Sequence, residues 1–381
     1  RIGTQEMDFS LNEVQQMLSD SIEKFIENDY DFETRQKYAA GDSGFSSDVW
    51  RMFAELGWTT VPFAEDDGGF GGGPVDTMIM MQLFGKALLV EPFLANIVLA
   101  GGVLKRAASS EQKERWLQPL MAGELQAALA FVEPQARYDI ENIMTTATRV
   151  ADGWQLDGAK GYVLNGGNAA LLIIPARTSG DHNDRDGVSL FAVDAATAGV
   201  TIKAYATVDG LQAAEITLQN TTVSDDCLLG EVGQGFAALD ASVDDATLAV
   251  SAEAVGIMQV LKDKTIEYSK SRSQFGVPIG SFQALQHRMV DMLTDCEQSQ
   301  SLLMWAAMVA DEGGDDVKQA VSSIKYHVSS AGRKLGEEAV QLHGGMGVTW
   351  ELDVAHYFKR LVAIGQTFGN ADWHLDRLAA N

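Results

Sequence analysis

Ser271-Arg-Ser-Gln-Phe-Gly-Val-Pro-Ile-Gly-Ser-Phe-Gln-Ala-Leu-Gln-His-Arg-Met289 closes one long helical run, turns, and opens another. Gly276, Pro278 and Gly280 punctuate the turn, because no helix runs through such a triplet. Arg272 ends the first helix, and Ser281 is placed to cap a helix beginning near Phe282. One permanently charged guanidinium and two amides, Gln274 and Gln283, thus surround a helix start. Arginine forks and helix N-termini are the common means of holding a pyrophosphate. Read without its neighbours, such a turn is more simply a corner between two helices.

Upstream of this turn the chain changes character twice. Residues 1–124 read as a helical domain. Ser10-x-x-Glu13 is a capping box, and Leu11, Val14, Met17, Leu18, Ile22, Phe25 and Ile26 follow at helical spacing. A second helix opens near Ser47 and stops at Gly57. The loop Pro62–Gly73 is rich in glycine but holds three carboxylates and no Lys or Arg, so it reads as a connector rather than a phosphate cradle. Helices over Thr77–Val90 and Pro92–Arg106 follow, and Ser109-x-x-Gln112 caps a last one. From 125 to 235 the segments shorten, with Gly, Asn and Asp recurring between them. Thr145–Val150, Gly153–Leu156, Leu171–Ala176, Ser189–Val193, Thr201–Tyr205 and Glu215–Leu218 have the look of a small antiparallel barrel or sandwich. From 236 to 381 helical spacing returns, and long helices with short loops argue an antiparallel four-helix bundle. The expected class is α+β and multidomain.

Composition narrows the function. A chain of 381 residues with net charge −25 repels phosphate backbones and anionic surfaces, so no nucleic-acid partner is expected. Two cysteines, Cys227 and Cys296, form neither a disulfide framework nor a metal spacing. No metal site is expected, and the reading is a reducing cytoplasm. Residues 1–7 show no apolar leader, and no uncharged run is long enough to cross a membrane.

The pattern Arg272-x-x-Phe275-Gly-x-Pro-Ile-x-x-Phe282-Gln283-x-x-Gln, followed downstream by Gln341-Leu342-His-Gly344-Gly345-Met-Gly, resembles the two signatures of the acyl-CoA dehydrogenase family. The order of segments along nearly the whole chain is similar too. Within the family the chain looks closest to the small subunit of pimeloyl-CoA dehydrogenase and to steroid side-chain dehydrogenases. The resemblance implies FAD, an acyl-CoA substrate, and an electron acceptor such as electron-transfer flavoprotein. It also implies a flavin shared between subunits. One chain's β domain would cover the ring. The neighbour would supply Arg272, Gln274, Phe275, Phe282, Gln283, Gln341, Leu342, Gly344 and Gly345 to the pyrophosphate and adenosine. His343, between the glycines, reads as structural.

The ring-covering half departs from the family pattern. Where relatives carry Thr-Glu-Pro, a Gly-Ser-Asp and later Trp-Ile-Thr, this chain has Val132-Glu133-Pro134, then Arg137-Tyr138-Asp139, and Tyr162-Val163-Leu164. Hydroxyls are lost at Val132 and Leu164, while Tyr138 and Tyr162 bring bulk. The base is missing as well. An ungapped count from Gln341 puts Phe368 at the usual glutamate, and a count back from Arg272 puts Ala246 at the alternative one. Asp244 matches a residue that in relatives touches the CoA pantetheine. Asp245 is the nearest carboxylate able to serve as base, although a solvated acidic helix face explains it as well. Three functions follow as expectations. One is a small subunit completing a homologous partner's flavin site in a heterotetramer. The second is a self-sufficient homo-oligomer using Asp245. The third is a non-catalytic scaffold. Fatty-acid and steroid breakdown are the expected settings.

Overall fold

A computed structural model describes residues 11–380. Three helical and β layers follow one another along the chain. The N-terminal layer holds α1 (Glu13–Asp29), α2 (Phe32–Ala39), α3 (Ser47–Glu55) and α4 (Pro74–Lys86). A π-helical stretch, Phe93–Ala100, then runs into α5 (Gly101–Ala107), and the short α6 (Ser110–Gln112) and α7 (Gln118–Met121) follow. The cap of α1 is Asn12, whose side chain and that of Gln15 bond reciprocally to backbone N–H groups. The Ser10 capping box lies outside the described residues. Ser109 and Gln112 form the box expected of them.

The β layer comprises β1 (Ala127–Leu129), β2 (Thr146–Val150), β3 (Gly153–Leu164), β4 (Leu171–Arg177), β5 (Val188–Asp194), β6 (Val200–Ala206), β7 (Gln212–Val223) and β8 (Leu228–Leu229). Their order is β6-β7-β3-β2-β4-β5-β8, with β1 added to β4. β1 and β2 both run parallel to β4, so the sheet is mixed where the sequence reading had it antiparallel. No ladder among the described residues closes it into a barrel. Both faces of β4 are buried. Leu171 and Ile173 join the helical core, and Leu172 and Ile174 join a second core with Trp154, Phe191 and Ile216. A strand covered on both sides reads as a continuous apolar run, which is why Leu-Leu-Ile-Ile does not alternate.

The C-terminal layer is α8 (Phe236–Ser271), a two-residue hairpin β9 (Ser273–Gln274) and β10 (Val277–Pro278), α9 (Gln283–Glu312), α10 (Val317–His343), α11 (Val354–Ile364) and α12 (Ala371–Ala379). α8 packs on α9, α10, α11 and back on α4 of the first layer. The quoted turn is therefore a hairpin, and Phe275 and Gly276 at its tip both have positive φ, 53° and 82°. A two-residue connection with both central residues left-handed matches the twist of its strands. Ser281 does not cap α9. It lies in a 3-10 turn, its hydroxyl donates to the Pro278 carbonyl at 2.7 Å, and Phe282 occupies the cap position.

Candidate active site

A cavity of about 340 Å³ opens where the β layer meets α8 and the last turn of the chain. Val132, Tyr138, Tyr162, Leu164, Asp244 and Phe368 all line it. Residues far apart in sequence, chosen for their match to the flavin and substrate positions of the family, thus meet around one space. Among the described residues, seven non-glycine residues have positive φ, and Arg137 (51°), Tyr162 (48°) and Phe368 (58°) are three of them. All three border this cavity. Strained backbone concentrated at one place is a mark of a used site.

Local contacts fix the loops around these positions. Glu133 is buried against Lys160, 2.6 Å from its ammonium, and accepts from the N–H groups of Met144 and Thr145 at 2.8 and 3.1 Å. Burial pushes the Glu133 carboxyl up, but Lys160 and these donors outweigh it and bring it down to about 2. The pair ties both ends of the 133–145 loop to β3 and so aims Tyr138 inward. There the Tyr138 hydroxyl bonds the Gln366 side chain at 3.1 Å, and its ring lies 6.2 Å from Trp373. Tyr162 sits in a break of the β3–β7 ladder between Lys160 and Val163. A bulge re-aims a side chain, and here it turns the phenol toward Thr367. Tyr138 and Tyr162 therefore reach the two residues before Phe368, whose own ring lies 6.3 Å from that of Phe131.

Val243, Asp244 and Thr247 line the cavity from α8, with Asp240 one turn earlier. Asp244 is held by Arg377 of α12 through contacts of 2.9 and 3.2 Å. Burial raises its pKa more than Arg377 lowers it. Asp245 does not line this cavity. It faces away from the cavity, bonds Arg106 at 2.7 Å and lies 3.7 Å from Lys105. One residue of helix rotation is about 100°, so the neighbours of Asp244 cannot share its face. Asp245 is a surface ion-pair residue, not a base for this cavity.

The second group of predicted residues is placed quite differently. Arg272, Gln274, Phe275, Phe282, Gln283 and Gln341 are exposed, as are Gly344 and Gly345; Leu342 is buried. Phe275 is 93% exposed, with its ring edge-on to Phe282 at 6.2 Å. Among the described residues no carboxylate pairs with Arg272. A Cβ built on Gly344 or Gly345 would meet nothing within 4 Å, so that backbone is open to close approach. His343 is buried, stacked at 4.4 Å on Tyr268 and bonded through Nδ1 to the Ala339 carbonyl. Both contacts are internal to the chain. The cavity and this surface lie at opposite ends of α8. Asp244 and Arg272 are 28 positions apart, about 42 Å at roughly 1.5 Å per residue.

Sequence reading missed Arg377, Gln366, Trp373 and the α10 residue Lys325. None falls in either motif, and their burial and partners appear only in three dimensions. No group of His, Cys, Asp and Glu able to hold a metal ion occurs among the described residues, and none of their helices is long and apolar enough to cross a membrane.

The family is established by comparison. The family models for the acyl-CoA dehydrogenase N-terminal, middle and C-terminal domains match residues 12–124, 128–221 and 233–381. The chain belongs to the acyl-CoA dehydrogenase family, whose members are oxidoreductases. It is 30% identical to acryloyl-CoA reductase (NADH) of Anaerotignum propionicum over 90% of this chain and 87% of that one. Among solved structures it is similar to PigA with FAD and proline, at 29% identity and TM-score 0.91 over 98% of both chains. It is likewise similar to the ChsE4–ChsE5 complex of Mycobacterium tuberculosis, at 25% identity and TM-score 0.89, again over 98% of both.

Proposed function

We propose that this chain takes part in FAD-dependent α,β-dehydrogenation of an acyl-CoA thioester as the small subunit of a heteromer. The chain supplies the pyrophosphate-binding half of the flavin site to a homologous partner. The observation that carries this reading is the separation along α8. This separation of about 42 Å supports a flavin site shared between two chains, with the Arg272 surface of this chain completing a partner's site.

The two halves of the site differ in their fit to FAD. The outer half suits it. Arg272 is a fixed cation that no carboxylate among the described residues neutralises, Gln274, Gln283 and Gln341 are exposed amides, and Gly344–Gly345 admit an anion to the backbone. The cavity half suits it poorly. Val132 and Leu164 offer no hydroxyl, and the Tyr138 hydroxyl is spent on Gln366. When bound, FAD supplies the hydride acceptor for the β-carbon. Removal of the α-proton needs a carboxylate, and Phe368 cannot take one. Asp244 is the carboxylate of the cavity wall that matches the pantetheine position, and Arg377 neutralises it. The partner therefore brings the ring cover and the base, and this chain brings Arg272, Gln283 and Gln341. The ChsE4–ChsE5 complex is a relative composed of two different chains, and that parallel supports the reading.

The three domains are proposed to divide at 124/125 and 235/236, the cytoplasm is the proposed location, and electron-transfer flavoprotein is the proposed class of acceptor. The homo-oligomeric alternative loses its base, because Asp245 is committed to Arg106 and Lys105. The test is to express the chain alone and with the homologous chain encoded beside it, then assay acyl-CoA turnover with an artificial acceptor. Turnover only in the mixed preparation is expected. Turnover by the lone chain would contradict the assignment.

A further inference from the structure

A second, smaller cavity, of about 80 Å³, lies on another face of α8. Val243, Asp244 and Thr247 line the larger cavity, whereas Asp245, Leu248 and Ala249 line this one. Met78 of α4 and Ile97 and Val98 of the π-helical stretch complete its apolar walls. All five apolar side chains are buried. A π-helix is rare and is found frequently at functional sites. The same stretch sends Leu99 to the larger cavity, so the two spaces share both α8 and the π-helical wall.

The polar end of this space is a lysine that its own chain leaves short of acceptors. Among the residues that line it, only Lys105 and Asp245 are charged. Asp245 gives its carboxylate to Arg106 at 2.7 Å and stands 3.7 Å from the Lys105 ammonium, too far for a good hydrogen bond. Among the described residues, the one hydrogen bond of that ammonium goes to the Pro62 carbonyl at 3.3 Å. Burial lowers the Lys105 pKa, and Asp245 offsets this only in part. Two cations to one carboxylate leave this end positive, in a chain whose net charge is −25. Asp76 and Asp311 approach the nearby Gly73, but neither lines the space. The Lys105 and Asp245 side chains are 28% and 30% exposed. The charged end is therefore the mouth, and the apolar end is the floor.

We propose that this cavity is a binding site for a short-chain monocarboxylate. The carboxylate sits on Lys105 at the mouth, and the alkyl tail lies among Met78, Ile97, Val98 and Leu248. A space of about 80 Å³ has room for roughly five to eight waters, which suits an acid the size of propionate or butyrate. An inorganic anion leaves the apolar floor unfilled. A dicarboxylate carries a second charge into it, which is costly without a partner. The site stands apart from the functional reading above and does not depend on it.

The test titrates sodium butyrate into the full chain at constant ionic strength and follows binding by calorimetry. The unsubstituted protein is compared with Lys105→Met, which removes the charge at similar length, and with Ala249→Leu, which fills the floor. Lys113→Met, at a lysine paired with Asp67 outside the cavity, is the control. Saturable binding is expected in the unsubstituted protein and the control. Lys105→Met should bind about tenfold more weakly or worse, and folded Ala249→Leu should show the same loss. Inorganic phosphate and succinate should not displace butyrate. No saturable binding by the unsubstituted protein overturns the proposal. So does unchanged affinity in either folded cavity variant, an equal loss in the control, or displacement by phosphate or succinate at the same concentration. Should Ala249→Leu not fold, Lys105→Met decides by the same criterion.

Discussion

The two ends of α8 present opposite kinds of surface. At one end the Asp244 cavity is closed in by partners from every layer, with Glu133 on Lys160, Tyr138 on Gln366 and Asp244 on Arg377. At the other end Arg272, Phe275 and Gly344 meet almost nothing of their own chain. A residue whose partners are internal can be replaced together with them. A residue whose partner is another molecule has to keep the form that molecule recognises. Under the proposed function, the contrast separates what this chain keeps for itself from what it offers to a neighbour.

The largest effect of breaking that contrast is expected at the cavity end. Lys160→Met strands a buried carboxylate and should cost about 3–5 kcal/mol of stability, seen as a lowered midpoint in urea. The same pair carries a pH signature. Glu133 holds its proton less tightly folded than unfolded, with a folded pKa of about 2. Its stabilisation is complete above the ordinary glutamate value of about 4.5 and fades as pH falls toward 2. Acid titrations of unfolding free energy should show that loss in the unsubstituted protein and lack it in Lys160→Met.

At the exposed end the order of effects reverses. Arg272→Ala should leave unfolding within about 0.5 kcal/mol while weakening flavin binding in the mixed oligomer by about 1.5–3 kcal/mol, or roughly ten- to hundredfold. Flavin released on dilution measures it. Smaller again is Tyr138→Phe, which removes one hydrogen bond to Gln366 and should lower stability by about 0.5–1.5 kcal/mol. The smallest is Asp245→Asn. Its ion pair with Arg106 is partly exposed, so the change in stability should stay below about 1 kcal/mol, and turnover of the mixed enzyme should not change. A large loss of turnover there would restore Asp245 as a catalytic candidate.

Much of this was legible in the sequence, for identifiable reasons. Strands β2 to β7 announced themselves because Gly, Asn and Asp mark their ends. β1 did not, since Ala127-Ala128-Leu129 is three residues long and buried throughout, which leaves no alternation to read. The Arg272 hairpin was recognised as a turn, but the N-cap was misplaced, because Ser281 turns its hydroxyl back to Pro278. Asp245 was misjudged by a single helix position, a difference that composition cannot reveal and helix rotation decides. Lys325 and Arg377 were invisible because a lysine or arginine in an amphipathic helix is ordinarily solvated, and only packing shows that one of these is buried and the other drawn to Asp244.

The central claim is that this chain lends half of a flavin site and does not own a whole one. The most direct measurement is FAD per chain, from the flavin absorbance of native protein, for the lone chain and for the purified mixed oligomer. The account predicts a nearly colourless lone chain and about one FAD per pair of chains in the mixture. One tightly bound FAD for every copy of the lone chain would contradict it.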